Sequence, residues 1–246
     1  MQMRSSAYWL FACLAVVALA GLPTVAAADD GYTCAKQSGD LAIAACSRAI
    51  ASGEFRGEEL AKIYANRGTE YKNKGDLDRA IADYSEAIRL DPEHVKAYNN
   101  RGITWAAKGE LDRAIADYSE AIRLDQHVPA YNNRGNAWRV KGDLDRAIAD
   151  YSEAIRLDPK YVDAYDNRGD AWEVKGDLDR AIADYNEAIR LNPKYASSYF
   201  NRGVVREEKR SLQEALADFE TYSQLVPSDP DGRTSVERVR KKLNAR

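Results

Sequence analysis

Carboxylates are the commonest side chains here that could act in catalysis, since the 246-residue sequence has 39 aspartates and glutamates. Many of them recur at fixed intervals, as Asp78, Asp112, Asp145 and Asp179 do. An active site is built once, whereas a residue that returns in each copy of a repeat serves the repeated fold. We therefore expect these carboxylates to be solvated surface groups rather than general acids or bases.

Two histidines are the other candidates for chemistry, and His94 and His127 occupy equivalent positions between copies. No cysteine cluster lies near either of them in sequence, so the pattern predicts no metal site. Neither a Ser-His-Asp order nor a phosphate-binding glycine loop occurs. The sequence thus predicts a protein that is not an enzyme and needs no cofactor.

The N-terminal segment 1–28 has the features of a signal peptide: Arg4, an apolar run over residues 8–20, and small residues up to Ala28. An uncleaved membrane anchor and lipidation of Cys13 are the alternatives. We expect export, to a bacterial periplasm or into the medium, and no membrane span once the segment is removed.

Two cysteines remain after such cleavage, Cys34 and Cys46. An even pair in an oxidising compartment favours a disulfide, and a loop this short would be stabilised by roughly 3 kcal/mol. The alternative is a pair of buried free thiols.

Charge and composition exclude one class of partner. The net charge is −3, and neither a basic block nor an alternation of aromatic and basic residues appears. Both are typical of proteins that bind nucleic acid, so no nucleic-acid partner is expected.

An internal repeat organises most of the chain. Arg-Gly pairs begin at positions 67, 101, 134, 168 and 202, which are spaced by 34, 33, 34 and 34 residues. A fixed period in this range predicts a stack of similar units. A single unit cannot bury its apolar face, but a neighbour on each side completes the core.

Each copy reads as two helices. The second helix of the first copy follows Asp76, a suitable N-cap, and its apolar residues recur at steps of three and four. The first helix ends at Gly75, which can adopt the left-handed conformation. Gly68 and Ala80 are small where the two helices should cross.

This pattern resembles the tetratricopeptide repeat family. The matching columns are an aromatic opening, a glycine at the helix crossing, a second aromatic, a small residue in the second helix, and a closing proline. The crossing glycine is the second residue of each Arg-Gly pair. The other four columns are, in the same order, Tyr64, Tyr98, Tyr131, Tyr165 and Tyr199; Tyr71, Trp105, Trp138 and Trp172; Ala80, Ala114, Ala147, Ala181 and Ala215; and Pro92, Pro159, Pro193 and Pro227.

The resemblance implies an all-α, right-handed solenoid of helical hairpins. We expect a degenerate hairpin at 29–59, five repeats within 60–227, and a capping helix at 229–246 that starts near Pro230. The expected repeats are 60–93, 94–126, 127–160, 161–194 and 195–228.

Departures from the pattern predict local differences. Gln126 replaces the closing proline and one residue is missing, so the junction before Pro129 should be tighter. The fifth copy has Arg210 for the glycine, and its Ser211 and Glu214 could form a capping box.

Each copy has an arginine before the crossing glycine, and an aspartate sixteen residues later. We predict an ion pair between the two helices of every repeat; the alternative is that both side chains are solvated. The pairs are Arg67–Asp83, Arg101–Asp117, Arg134–Asp150, Arg168–Asp184 and Arg202–Asp218.

In tetratricopeptide proteins the outward face of the first helix lines a concave groove, which commonly holds a peptide or a helix of a partner. By that resemblance the groove here is lined by Lys62, Asn66, Thr69, Lys72, Lys96, Asn99, Asn100, Ile103, Asn132, Asn133, Asn136, Arg139, Asp163, Asp166, Asn167, Asp170, Glu173, Phe200, Asn201, Val204, Glu207 and Glu208.

One column of this face is a ladder of amides: Asn66, Asn100, Asn133, Asn167 and Asn201. An amide both donates and accepts, so the ladder can pair with a partner's main chain. The alternative is that these asparagines tie neighbouring helices together.

Charge also varies along the face, from basic at Lys62, Lys72 and Lys96 to acidic from Asp163 onwards. Such polarity would orient a peptide whose acidic end lies over the first repeats and whose basic end lies over the last. Chance variation of a solvated face is the alternative.

The sequence therefore favours a non-catalytic scaffold or adaptor of the bacterial envelope, a monomer or weak homo-oligomer that grips a protein segment. A self-associating structural solenoid is the second hypothesis. The third is an envelope assembly factor that touches cell-wall glycan, for which Phe200 is almost the only aromatic free to stack on sugar.

Overall fold

The computed structural model describes residues 25–245, which form thirteen helices and no strand. The predicted leader lies outside the described residues except for 25–28, which belong to the first helix. Among the helices within residues 25–245, none combines the length with the hydrophobicity that a membrane span requires. The helices are α1 (Val25–Lys36), α2 (Gly39–Ser52), α3 (Gly57–Asn73), α4 (Leu77–Leu90), α5 (Val95–Ala107), α6 (Leu111–Asp125), α7 (Val128–Val140), α8 (Leu144–Leu157), α9 (Val162–Val174), α10 (Leu178–Leu191), α11 (Ala196–Glu208), α12 (Leu212–Leu225) and α13 (Pro230–Asn244).

Each repeat is a hairpin in which a tyrosine ring packs on the crossing glycine. In the first repeat, formed by α3 and α4, a Cβ atom on Gly68 would lie 3.0 Å from the ring of Tyr84. Ala80 and Tyr84 are fully buried. The small residues thus let the two helices approach closely, as the sequence predicted, and the amphipathic second helix supplies the ring.

The repeats stack into a solenoid whose first helices share one surface. Every helix packs against the next one in sequence, and α3, α5, α7, α9 and α11 also contact one another in order. Successive second helices of the described chain make no comparable contact. The first helices therefore lie on the inner, concave side of the curve, and the second helices lie on its outer side.

The two ends of the stack are closed differently. At the N-terminal end, α1 and α2 form a hairpin whose Cys34 and Cys46 sulfur atoms are 2.13 Å apart, a disulfide buried against Phe55 and Ile63. At the C-terminal end, α13 starts at Pro230 and packs its apolar stripe on α12. Both ends thus cover apolar surface that a repeat array leaves exposed.

The irregular junctions follow the departures seen in the sequence. Only Gln126 and His127 separate α6 from α7, and Gln126 adopts a left-handed φ of 38°. Arg210 also has a left-handed φ, 63°, where the other repeats have glycine. The predicted capping box is wrong: the Ser211 hydroxyl makes no capping hydrogen bond, and Glu214 pairs with Arg206 instead.

Candidate functional site

The recurring arginines form clamps in every repeat. Arg134 donates from Nε and Nη2 to both carboxylate oxygens of Asp150, at 2.9 and 2.7 Å. The same bidentate pair joins Arg67 to Asp83, Arg101 to Asp117, Arg168 to Asp184 and Arg202 to Asp218. The aspartates are buried, so these are not the solvated pairs of the alternative reading.

Each clamp also reaches the preceding unit. The free Nη1 of Arg134 donates to the Ser119 hydroxyl of the repeat before it, at 2.9 Å. Ser47, Ser85 and Ser152 accept in the same way, and Asn186 takes this role for Arg202. One arginine therefore holds three helices, which fixes the angle between repeats and hence the shape of the concave face.

The concave face itself carries most of the predicted groove residues. Lys62, Lys96 and Glu208 are exposed, and the following are partly exposed: Asn66, Thr69, Lys72, Asn100, Ile103, Asn133, Asn136, Arg139, Asp163, Asn167, Asp170, Glu173, Asn201 and Val204. Three predicted residues are corrected, because Asn99, Asn132 and Asp166 are buried between neighbouring first helices. Their side chains hold the helices together and do not line the open surface.

Two members of the amide ladder tie neighbouring helices together, which was the alternative to pairing with a ligand. Asn133 donates to Asn99 Oδ1 at 3.0 Å, and Asn167 donates to Asn132 Oδ1 at 2.9 Å, so these amides tie successive first helices. In the first repeat the position equivalent to Asn99 is Ala65, whose side chain has no acceptor for the amide of Asn100. Within the described chain, Asn66 and Asn100 make no side-chain hydrogen bond, which leaves their amides open to a ligand.

Phe200 does not remain free for sugar stacking. Its ring lies 5.6 Å from the ring of Phe219 and 4.9 Å from that of Tyr222, and it packs on the C-terminal core. Glu207 is likewise engaged, since it pairs with Arg238 and Lys242 of α13. The acidic end of the face is therefore concentrated in the fourth repeat.

Acidic side chains of the fourth repeat share one buried phenol. The Tyr185 hydroxyl lies 3.0 Å from Asp170 Oδ1 and 3.0 Å from Glu173 Oε2, and Asn201 donates to Asp170 at 2.9 Å. Burial raises the pKa of Asp170 and of Glu173 above their usual values. The charge of Arg139 opposes the shift at Asp170 but does not cancel it.

Asp166 lies deepest in this group. Burial raises its pKa to about 6, against a hydrogen bond of 2.5 Å from the Ser198 hydroxyl that favours the ionised form. Neither Asp166, Asp170 nor Glu173 forms a salt bridge within the described chain. We call Asp166, Asp170 and Glu173 the acid cluster; it is a concentration of negative charge that a bound cation would stabilise.

Sequence reasoning missed a second ladder on the edge formed by the interhelical turns. Asp78, Asp112, Asp145 and Asp179, expected to be solvated, each pair with a lysine of the next repeat, although they stay more than four-fifths exposed. The lysines are Lys108, Lys141, Lys175 and Lys209. Their own fixed spacing, read beside that of the aspartates, was the signal that could have found them.

The same edge carries stacked cations. The Arg146 guanidinium lies 3.7 Å from the centre of the Trp138 ring, and Arg113 and Arg180 lie similarly over Trp105 and Trp172. The second aromatic column is therefore occupied on its outer side. It is not an open aromatic surface for a ligand.

No group of three potential ligands that could hold a metal ion occurs within residues 25–245.

Family models cover the repeats: one described as "Tetratricopeptide repeat" matches residues 66–129, and one described as "TPR repeat" matches residues 135–173 and 175–210. The chain is a tetratricopeptide-repeat protein. Comparison with curated proteins gives no match.

Solved tetratricopeptide-repeat (TPR) structures have the same fold. MamA is 29% identical and superposes with a TM-score of 0.59 over 64% of this chain and 93% of its own. The pilF structure from Pseudomonas aeruginosa is 18% identical, with a TM-score of 0.69 over 75% of this chain and 84% of its own. YrrB, described as a TPR protein with an unusual peptide-binding site, is 21% identical, with a TM-score of 0.59 over 80% and 97% of the two chains. At these lower identities the likeness shows the fold alone.

Proposed function

We propose that this TPR protein is a non-catalytic interaction scaffold that binds an extended peptide on its concave face. Members of the family are typically scaffolds of this kind. The packed first helices form a continuous face, and the open amides of Asn66 and Asn100 on that face can pair with a peptide backbone.

The acid cluster carries the proposal. At the column of the buried Asp166, the second and third repeats have Asn99 and Asn132, which fill the same space without a charge. A buried carboxylate where an amide would suffice costs stability, and such exceptions concentrate at functional sites. We infer that Asp170 and Glu173, the more accessible members, take a lysine or arginine of the peptide.

The test uses a fluorescein-labelled synthetic peptide with lysine at one end and glutamate at the other, on a glycine-serine background. Replacing Asp170 with Asn and Glu173 with Gln should weaken its binding roughly 10-fold or more at low salt, because two charge-assisted contacts are lost. Fluorescence anisotropy measures the dissociation constant.

The matched control removes two equivalent charges away from the groove, as Asp112→Asn with Asp145→Asn. That control should bind like the wild type. If the cluster variant also binds like the wild type, the acid cluster does not receive the basic residue.

Location in the bacterial envelope is part of the same proposal. The leader-like segment 1–28 supports export, and a buried disulfide is typical of oxidising compartments. Cell fractionation followed by N-terminal sequencing should find a mature chain that starts at residue 29 outside the cytoplasm. A cytoplasmic chain that begins at Met1 would contradict export.

Self-association is the second candidate, and exposed apolar residues of the N-terminal hairpin favour it. Tyr32 is 64% exposed and Leu41 is 70% exposed. Stacking of two chains through this end would cover both side chains. Light scattering should then show a mass that rises with concentration and falls to the monomer in Leu41→Lys; a constant monomer mass rules this out.

A further inference from the structure

An apolar pocket of about 520 Å³ opens between α5 and α7, with α6 as its floor. Its walls are apolar side chains, and Asn133 and Asn136 stand at its edge. Val140, on one wall, is 67% exposed. The wall residues are Ile103, Ala106, Leu111, Ala137 and Val140.

The pocket exists because the second repeat has a small residue at one position. Ala106 occupies the column in which the other repeats have Lys72, Arg139, Glu173 and Glu207. A long side chain at that position would extend over the pocket. The short side chain of Ala106 therefore leaves this space open, whereas each of the other repeats has a long side chain at the equivalent position.

The floor of the pocket carries a phenol without a partner. In the other repeats with tyrosine at this position the hydroxyl is bonded, Tyr84 to Thr69, Tyr151 to Asn136 and Tyr185 to Asp170. The partner column has Ile103 in the second repeat, so the Tyr118 hydroxyl makes no hydrogen bond within the described chain although the residue is only 2% exposed.

The fifth repeat shows what the fold uses when no partner is present. There the partner column has Val204, and the ring below it is Phe219, which has no hydroxyl. Tyr118 lines the pocket, so its unpaired hydroxyl faces the pocket space and is available to a group that enters there. Burial raises the pKa of Tyr118, so the phenol stays protonated and can only be used as a neutral donor or acceptor.

We propose that this pocket receives one large apolar side chain, of leucine, isoleucine, methionine or phenylalanine, from the extended peptide, and that the Tyr118 hydroxyl donates to a carbonyl of that peptide beside it. The inference rests on the proposed function and adds a specificity element to it. The acid cluster lies further along the same face. We therefore expect the bound peptide to have both an apolar residue for the pocket and a basic residue for the acid cluster.

The geometry predicts a spacing. Packed helices are about 8–10 Å apart, so the acid cluster on α9 lies between one and two such steps from the pocket, roughly 10–20 Å. An extended peptide advances about 3.3 Å per residue, which places the basic residue about three to six residues from the apolar one.

The experiment selects peptides from a random dodecapeptide library displayed on phage, with the chain purified in the form that cells accumulate. The most enriched peptides, synthesised with fluorescein, should carry an apolar residue and a lysine or arginine at that spacing. Ala106→Arg, which copies the third repeat, should weaken their binding roughly 10- to 100-fold by filling the pocket. The variant Tyr118→Phe should weaken it roughly 3- to 10-fold without lowering the melting temperature, because no hydrogen bond of the free protein is lost.

The outcomes separate this inference from the proposed function. Unchanged binding to Ala106→Arg, with binding to the Asp170→Asn, Glu173→Gln variant lost, overturns the pocket and leaves the scaffold. Failure to enrich any peptide sensitive to a concave-face variant overturns both. A dimer in light scattering that Ala106→Arg dissociates would assign the pocket to a second copy of the chain and would also overturn the inference.

Discussion

Differences at equivalent positions distinguish one repeat from another. Asp166, where the second and third repeats have asparagine, and Ile103 with Ala106 are such differences. Because the backbone around them is repeated, the neighbouring repeats serve as internal references for what each column needs. The chemistry of binding therefore depends on the positions where a repeat departs from its neighbours.

The buried Asp166 predicts a pH dependence of stability. Its folded pKa of about 6 exceeds the usual unfolded value of about 3.9, so the folded state binds more protons between those values. Stability from this group is therefore present below about pH 4 and is lost as pH rises through about 6. Ser198 and the carboxylates of Asp163 and Asp170 also face Asp166. Burial raises the pKa of Asp170 as well, so its effect on stability has the same sign.

Replacing Asp166 with Asn should raise the free energy of unfolding by about 2 kcal/mol at pH 7 and change it little at pH 4, since the amide is never charged. Urea unfolding at the two pH values measures this. Asp179→Asn, on the exposed edge, is the control and should be neutral at both. A lower stability of the Asp166 variant at pH 7 would show that the buried charge is compensated.

At the scale of the helical element, the turn between α11 and α12 has a residue poorly suited to its backbone conformation. The equivalent turns of the other repeats have glycine with φ from 79° to 83°, whereas Arg210 adopts 63°. A side chain in the left-handed region costs about 1–2 kcal/mol. The fifth repeat accepts this cost, and nothing in the structure explains why arginine is present.

Arg210→Gly should therefore stabilise the chain by about 1 kcal/mol, somewhat less than the strain because glycine is more flexible when unfolded. The reciprocal change Gly176→Arg should destabilise it by a similar amount. Equilibrium unfolding in urea compares the two. Equal midpoints for all three proteins would mean that these turns relax at no cost.

At the scale of the whole molecule, the arginine clamps connect neighbouring repeats in addition to the apolar core that those repeats share. Each clamp contacts its own second helix and the second helix of the preceding repeat, so one ion pair couples two neighbouring units. In a solenoid, stability is the sum of unit and interface contributions. Each clamp contributes to the stability of its own repeat and to that of the interface with the preceding repeat. We therefore expect the loss of a clamp in a central repeat to lower the stability of the chain.

Asp150→Asn should lower the free energy of unfolding by about 3 kcal/mol, because it leaves Arg134 half-buried without its counter-charge. The exposed Asp145→Asn removes an equal charge in the same helix and should cost less than about 1 kcal/mol. Thermal melting followed by circular dichroism compares them. The clamp would be energetically unimportant if the two variants melted together.

The sequence by itself determined the helices, the repeats and the clamps. Period, helix-face pattern and the fixed spacing of Arg134 and Asp150 all act within one hairpin or between two adjacent ones, where distance along the chain implies distance in space. The tight junction at Gln126 and the capping helix from Pro230 were predictable for the same reason. The prediction of a capping box at Ser211 was wrong because Glu214 forms an ion pair with Arg206 instead.

Only the tertiary structure decided which variable residues face a ligand. Asn99, Asn132 and Asp166 occupy helix positions that look as polar as their neighbours, and only the packing of one first helix on the next buries them. The same packing raises the pKa of Asp166. Such properties depend on what lies across the groove, at a sequence distance of one repeat, and a local pattern carries no information about that neighbour.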